Sequence, residues 1–512
     1  MIVVGRELPG GFECSFDVCV VGSGAGGAVV AKELAEAGLP VCVLEEGGYY
    51  APEDYSRFTF AESARRMYRG AGATMALGLG DSPTVQLVTG RVVGGGSVLT
   101  GGVCFRIPDL VLDEWCEAGL TELSPRKMEP LFEHVEREVS VTETPADLRS
   151  GSTALFVSGA ERLGIGISPL RRNVERCSGE GRCTTGCPTG AKKSVDVTYL
   201  RKARANGAVV YSDCLVERVL TRGRRAVGVT GRVLGGRRGE PRGSFTVHAK
   251  AVVVAAGALH TPLLLRASGL GRRSRALGEN LTLHPGFAVG AIAPSRVEGW
   301  KGALQSVYSD HLASDGVLLL GMFADPSLIA SRMPGVGRRH LSYVEQVSSA
   351  ALFAGLLRDK GRGSVRRGLG REPLVTYRMA PEDKLAFVKA FCTVAEMALA
   401  GGADEVMVPL RGEAPIRDIA RLREIAARPP AAARFESISF HPLCTARMGL
   451  SPTLDVVDEA GETYEVENLY VADGSTFRSS LGVNAQVPIM AAATRIAWRL
   501  RDRFARIRRE VA

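Results

Sequence analysis

The sequence predicts an α/β fold: a parallel sheet flanked by helices, interleaved with an α+β region built on an antiparallel sheet. Three observations carry this. Residues 16–48 read as strand, glycine turn, helix and strand. Segments 249–271 and 468–500 again run from an apolar strand through a small-residue turn into a helix. Segments 146–194 and 294–431 break that rhythm, with strand-like "GVLLLGMFA" and "PLVTYRM" and the helical "PEDKLAFVKAFCTVAEMALAGG". At 512 residues the chain exceeds the usual size of one hydrophobic core, so two domains or a large insertion are expected.

In the first unit, "DVCVV" is short and valine-rich, as a strand buried on both faces should be. "GSGAGG" follows and gives G-x-G-x-x-G at Gly22, Gly24 and Gly27. "AVVAKELAEAG" is helical and ends on Gly38, a C-terminal cap. "PVCVL" forms the second strand and is followed directly by Glu45. Gly22 permits the tight turn, Gly24 lets a pyrophosphate approach the backbone, and Gly27 lets helix pack on strand. The helix N-terminus adds free N–H groups. Glu45 is placed to accept hydrogen bonds from an adenosine ribose, and its charge disfavours a 2′-phosphate. These features fit FAD and NAD alike. Only one such unit occurs, whereas an enzyme passing electrons from NAD through a flavin usually shows two.

A second glycine cluster, "GRVVGGGSVLTGGVCFRIPD", spans 90–109, and a helix start is expected at Ser124–Pro125. Apolar residues make up 45% and charged residues 23%, the balance of a globular protein. The net charge is +9, but the basic residues are dispersed. Their densest runs, "GRRSRALG", "GGRRGEPRG" and "RLRDRFARIRRE", do not interleave aromatics as a single-strand groove would. An arginine-rich solvated surface is expected, with no nucleic-acid partner. No apolar run is long enough to span a membrane, and no secretory pattern opens the chain. With eleven cysteines, this reads as a cytoplasmic protein with reduced thiols.

Taken together, the motifs at 16–48, 90–109, 249–286 and 437–500 resemble the glucose–methanol–choline (GMC) oxidoreductases, flavoproteins that oxidise alcohols. The resemblance implies an FAD-binding Rossmann-like domain of GMC type at 1–145, 195–293 and 432–512. A substrate domain would occupy 146–194 and 294–431. Gly22, Ser23, Gly24, Gly27 and Glu45 would bind the ADP part of FAD. Arg91, Gly94, Gly95 and Ser97 would lie along the pyrophosphate and isoalloxazine. Val216 would contact adenine through its backbone, Ala256 and Gly257 would line the FAD, and Asp473 and Gly474 would hold the ribityl-phosphate end. Asn280 and His284 also occupy matching places. Gly96 and Thr100 depart from the family's serine and asparagine, which touches side-chain contacts to the flavin. No histidine lies between 49 and 133, so no histidyl–flavin bond is expected.

"SFHPLCTARMG" holds His441, one of seven histidines. On an apolar background it reads as a core histidine with satisfied hydrogen bonds or as a base. The family places a histidine in a motif like this and a second His or Asn further on, here Asn484 of "LGVNAQVP". By resemblance, His441 takes the hydroxyl proton while hydride passes from carbon to flavin N5, and Asn484 orients the substrate oxygen. A cap on the last helix is the plain alternative for Asn484. The implied substrate is a primary or secondary alcohol, bulky or apolar, with oxygen or another acceptor reoxidising the flavin. A lyase of the same fold, or a flavin electron carrier without catalysis, are the alternatives. Finally, Cys177, Cys183 and Cys187 are spaced C-x5-C-x3-C before Pro188. Such thiolates can ligate an iron–sulfur cluster, as in bacterial FAD-dependent glucose dehydrogenases that this loop resembles; free thiols or one disulfide are the alternative.

Overall fold

A computed structural model describes residues 1–8, 10–235, 240–271 and 273–511, with the side chains of 510 and 511 undescribed. Residues 236–239 and 272, which fall in two of the basic runs, lie outside the described residues.

The strand Phe12–Val21 is followed by the helix Ala25–Glu36 and the strand Val41–Leu44, close to the expected bounds. Gly38 follows the helix at φ +78 and satisfies the chain's turn toward the second strand. Phe12–Val21 is central in an eight-stranded sheet. Parallel neighbours run outward on one side through Val41–Leu44 and Val209–Ser212 to Ile2–Val4. On the other side it pairs in parallel with Glu240–Val254, which also pairs with Leu469–Val471. Arg225–Gly235 and Cys214–Arg222 extend this edge as antiparallel strands. The valines of the central strands are fully buried beneath Ala25–Glu36, Pro125–Glu138 and Gln486–Val511. The basic last helix packs on this sheet. Trp498 donates to Glu33 at 2.8 Å, and Arg508 pairs with Asp17 at 2.5 Å.

A second sheet of eleven strands forms the other layer. Its order begins Arg362–Arg367, Pro373–Arg378, Thr74–Gly78, Val85–Leu87, Ser437–Ser439 and Gly286–Ile292, and continues through Ala350–Leu357, Val317–Met322 and Gln305–Ser309. The sheet is mainly antiparallel, but Pro373–Arg378 with Thr74–Gly78, and Ser437–Ser439 with Val85–Leu87, pair in parallel. Thr74–Gly78, Val85–Leu87, Gly286–Ile292 and Ser437–Ser439 come from segments the sequence assigned to the first domain. Their membership depends on long-range pairing, which local patterning does not reveal. The helix Pro381–Ala400 backs this sheet, with Phe387 and Phe391 against Phe287 and Phe435. No helix of the described residues is long and apolar enough to cross a membrane.

Candidate active site

The two glycine clusters meet. A Cβ on Gly95 would lie 2.7 Å from the Gly24 Cα. The Gly94 N–H donates to Ser23 Oγ at 3.0 Å, and Ser23 donates through N (3.0 Å) and Oγ (2.7 Å) to Glu45 Oε2. Gly47 N–H donates to Glu45 Oε1 at 2.8 Å. Burial pushes the Glu45 carboxyl up, against these hydrogen bonds, which pull it down. The Cys214 N–H donates to the Glu45 carbonyl at 2.7 Å, so the strand carrying Val216 starts beside it. Asp473 Oδ2 accepts from Gly257 N–H (2.8 Å) and Thr261 Oγ1 (2.6 Å), and Oδ1 from Ser475 N–H (2.8 Å). That bond joins the turn after Glu240–Val254, with Ala256 and Gly257, to the Asp473–Gly474 turn.

The glycines divide into two groups. A Cβ on Gly22 or Gly27 would strike a backbone carbonyl, at 2.2 and 2.0 Å. Those two are required by packing. A Cβ on Gly24 would have its nearest neighbour at 3.8 Å, and on Gly96 or Gly257 none within 4 Å. These three line open space, a cradle that suits a ligand lying along bare backbone. Beside it, Glu46 faces three guanidinium groups: Arg69 at 2.5 Å, Arg371 at 3.7 Å and Arg91 at 3.8 Å. Burial pushes the Glu46 carboxyl up, but Arg69 holds it down at about 2. Arg91 Nε is buried without a hydrogen-bond partner. This unpartnered donor suits a diphosphate.

His441 follows the strand Ser437–Ser439, and its N–H donates to Ser439 Oγ at 3.2 Å. Downstream, Cys444 N–H donates to the Gly474 carbonyl (3.0 Å) and Ala446 N–H to that of Ser475 (2.8 Å). The histidine segment is thereby stitched to the Asp473 turn of the cradle. Thr100 Oγ1 donates to Gln486 Oε1 at 3.1 Å, which ties the second glycine cluster to the loop of Asn484. His441 Nδ1, Asn484 Oδ1, Gln486 Nε2 and Ser475 Oγ are all buried without a partner. A buried polar atom left unpaired costs about 1–3 kcal/mol, so each of these atoms is one that a ligand or a water would satisfy. His441 Nδ1 finds no partner within the protein, and the Asn484 oxygen caps no helix. Burial, with His284 beside it, holds the His441 imidazole down at about 3, so it is neutral near pH 7. The rings of His284 and His441 lie 5.6 Å apart.

The cysteine loop is a correction. Cys183 Sγ accepts from the buried Arg172 Nη2 at 3.1 Å, and Cys187 Sγ from the Lys192 N–H at 3.4 Å. Cys177, Cys183 and Cys187 are free thiols, and no group of three or more His, Cys, Asp or Glu among the described residues is placed to hold a metal. The cluster that the spacing allows finds no support among the described residues, because the fold does not gather the three sulfurs into a group that could hold a metal. Four residues escape sequence reasoning: Gln486; His260, buried near Glu46 and Arg69 with Nε2 unpartnered; and Asp359 with Ser480, which are hydrogen-bonded to each other behind His284. His260, just after Gly257 and one of seven histidines, had a signal; Asp359, in an ordinary strand-end context, had none.

Two family models described as GMC oxidoreductase match this chain, at residues 64–286 and 368–493. An uncharacterised GMC-type oxidoreductase of Mycobacterium tuberculosis is 38% identical over 485 residues, covering 94% of this chain and 75% of its own length. The long-chain-alcohol oxidase FAO4B of Arabidopsis thaliana is 30% identical, covering 95% of this chain and 67% of its own. Among solved structures, the fold is shared with a pyridoxine 4-oxidase from Mesorbium loti (TM-score 0.70, 19% identity, 94% and 99% of the two chains). It is also shared with a formate oxidase of Aspergillus oryzae (TM-score 0.71, 16% identity, 98% and 100%).

Proposed function

The chain belongs to the GMC oxidoreductase family, and from that premise we propose that it oxidises an apolar alcohol to the aldehyde or ketone with FAD as its cofactor. The carrying observation is the pair of unpartnered polar atoms, His441 Nδ1 and Asn484 Oδ1, in segments hydrogen-bonded to a glycine-lined cradle. The cradle fits FAD: Gly24, Gly96 and Gly257 leave room along the backbone, Glu45 suits the ribose, and Arg91 suits the pyrophosphate. By the family resemblance, Ser23, Gly94, Gly95, Ser97, Val216, Ala256, Asp473 and Gly474 would line the cradle. When bound, FAD supplies the hydride acceptor at N5.

His441, neutral at working pH, accepts the hydroxyl proton, which raises the tendency of the carbinol carbon to release hydride. Asn484 donates from Nδ2 to the substrate oxygen, so that the single hydroxyl proton faces the imidazole. Neither group carries a charge that would stabilise water in the pocket.

The substrate class is read from the open face of the second sheet. Met75 and Leu77, Leu374 and Phe440 are 40–49% exposed on the face opposite the helix Pro381–Ala400. Strand register sets Met75 beside Gln86, and Gln86 beside Ile438, two residues before Phe440. Exposed apolar side chains thus flank Gln86 on this face and reach Phe440, the residue before His441, which favours an alkyl chain over a sugar. The long-chain-alcohol oxidases among the relatives agree with this choice. Anaerobic mixing with straight-chain alcohols of rising length, followed by air, tests it. Flavin bleaching that strengthens with chain length is expected, and recovery in air identifies oxygen as an acceptor. Turnover without bleaching would replace the oxidase reading with a lyase.

A further inference from the structure

Asp359 and His284 are buried polar residues that the reaction above does not use. Asp359 is 2% exposed and His284 fully buried. The Asp359 carboxylate gathers three segments. Its Oδ1 accepts from Ser480 Oγ (2.7 Å) and His284 N–H (3.2 Å), and its Oδ2 from Leu283 N–H (3.0 Å) and Tyr377 OH (3.0 Å). This fixes the backbone of His284, which sits at φ +47, a conformation that a non-glycine residue keeps only when its surroundings impose it. The ring then does two things. Its Nε2 accepts from Leu481 N–H (2.8 Å) and Gly482 N–H (3.3 Å), the loop that runs directly into Asn484. The ring also packs against His441 at a tilt of 58°, with ring centroids 5.6 Å apart. Because Nε2 is an acceptor, the ring proton belongs on Nδ1.

We propose that His284 is a positioning residue: its Nε2 lone pair clamps the 481–482 backbone and its ring backs His441, so one side chain sets the spacing of base and orienting amide. Asp359 acts one step behind it. The inference rests on the reading of His441 and Asn484. The clamp is needed because Gly482, at φ +74, and Ala485 give the loop little stiffness of its own. A displacement of about 1 Å at such a site costs on the order of 100-fold in rate.

The test is anaerobic reduction of the FAD-loaded full chain at saturating alcohol, with flavin content and KM measured in parallel. Four variants are compared: His284→Leu, His284→Asn, His284→Gln and His441→Ala. Glutamine can present an oxygen where Nε2 stands, whereas asparagine and leucine cannot. The expected result is a reduction rate at least about tenfold lower for Leu and Asn, with flavin retained and KM little changed, and recovery to within about threefold for Gln. If His284→Leu does not fold, the Asn and Gln variants decide. Equal rates for Asn and Gln overturn the clamp, as does a Gln variant as slow as Leu. A slow His441→Ala beside unaffected His284 variants sinks this inference and leaves the base intact. An unimpaired His441→Ala sinks the base itself and the positioning role with it.

Discussion

The cradle and the histidine pocket are built by opposite rules. In the cradle, the two carboxylates are engaged internally: Glu45 by Ser23 and Gly47, Asp473 by Gly257, Thr261 and Ser475. What it offers a ligand is mainly bare backbone, with the unpartnered Arg91 Nε for a phosphate and the remaining lone pairs of Glu45 for a ribose. In the pocket, His441 Nδ1, Asn484 Oδ1 and Gln486 Nε2 are left without partners in buried surroundings. A binding site can be made from shape and satisfied groups, because the ligand brings its own charge. A reactive site must keep some groups unsatisfied, because those are the ones that will move or hold a proton.

Substitutions should separate the two regions. The largest effect is expected in the pocket. His441→Ala should slow anaerobic flavin reduction by about 10²–10⁴-fold with FAD content unchanged, and Asn484→Ala by about 10²-fold. Stopped-flow absorbance measures both. If either variant instead lost its flavin, the pocket would be part of the binding site and the division would fail.

In the cradle, position should decide the phenotype. Gly26→Ala drives a methyl to 1.7 Å from the Ala472 carbonyl and should destabilise the fold by about 1–3 kcal/mol or more. Gly24→Ala has its nearest neighbour at 3.8 Å, so it should keep the apoprotein's stability yet lower FAD affinity. Denaturation of apoprotein and flavin titration distinguish the two. Equal stability loss in both would show that Gly24 is spent on packing.

Smaller effects lie at the edges. Met75→Ser and Leu77→Ser should each lower kcat/KM for long alcohols by about fivefold while sparing short ones. Burial also holds His260, His284 and His441 at about 3, below the roughly 6.5 of an unfolded chain. The stability linked to these neutral rings is complete above about pH 6.5 and is lost as pH falls toward 3, where the unfolded chain binds more protons. Tm should therefore decline over that window, and His260→Gln should flatten the decline by a few degrees.

The difference between the regions also governs what the sequence reveals. The cradle is legible because its requirement is local: Gly22, Gly24 and Gly27 sit in one turn between a valine-rich strand and a helix, so spacing alone announces them. Glu45 closes the next strand, equally near. His441 and Asn484 required the resemblance to a family, since nothing in "SFHPLCTARMG" says which residue will face them. Asp359 and Ser480 were invisible, because their partners, His284 and Tyr377, arrive from distant segments. The domain boundaries blurred for the same reason: Thr74–Gly78 and Ser437–Ser439 are short strands whose sheet is chosen by remote neighbours. The three-cysteine loop shows the converse case, for spacing suggested a ligand set that the fold does not gather into a metal-binding group among the described residues.

The central claim is that a neutral imidazole beside an FAD cradle lets an alcohol reduce the flavin. Its most direct test follows the visible flavin band of the wild-type protein, mixed anaerobically with a long-chain primary alcohol, beside His441→Ala loaded to the same flavin content. Rapid bleaching in the wild type and a band that persists in the variant are predicted. Bleaching at the same rate in both, or in neither across all alcohol lengths, would contradict it.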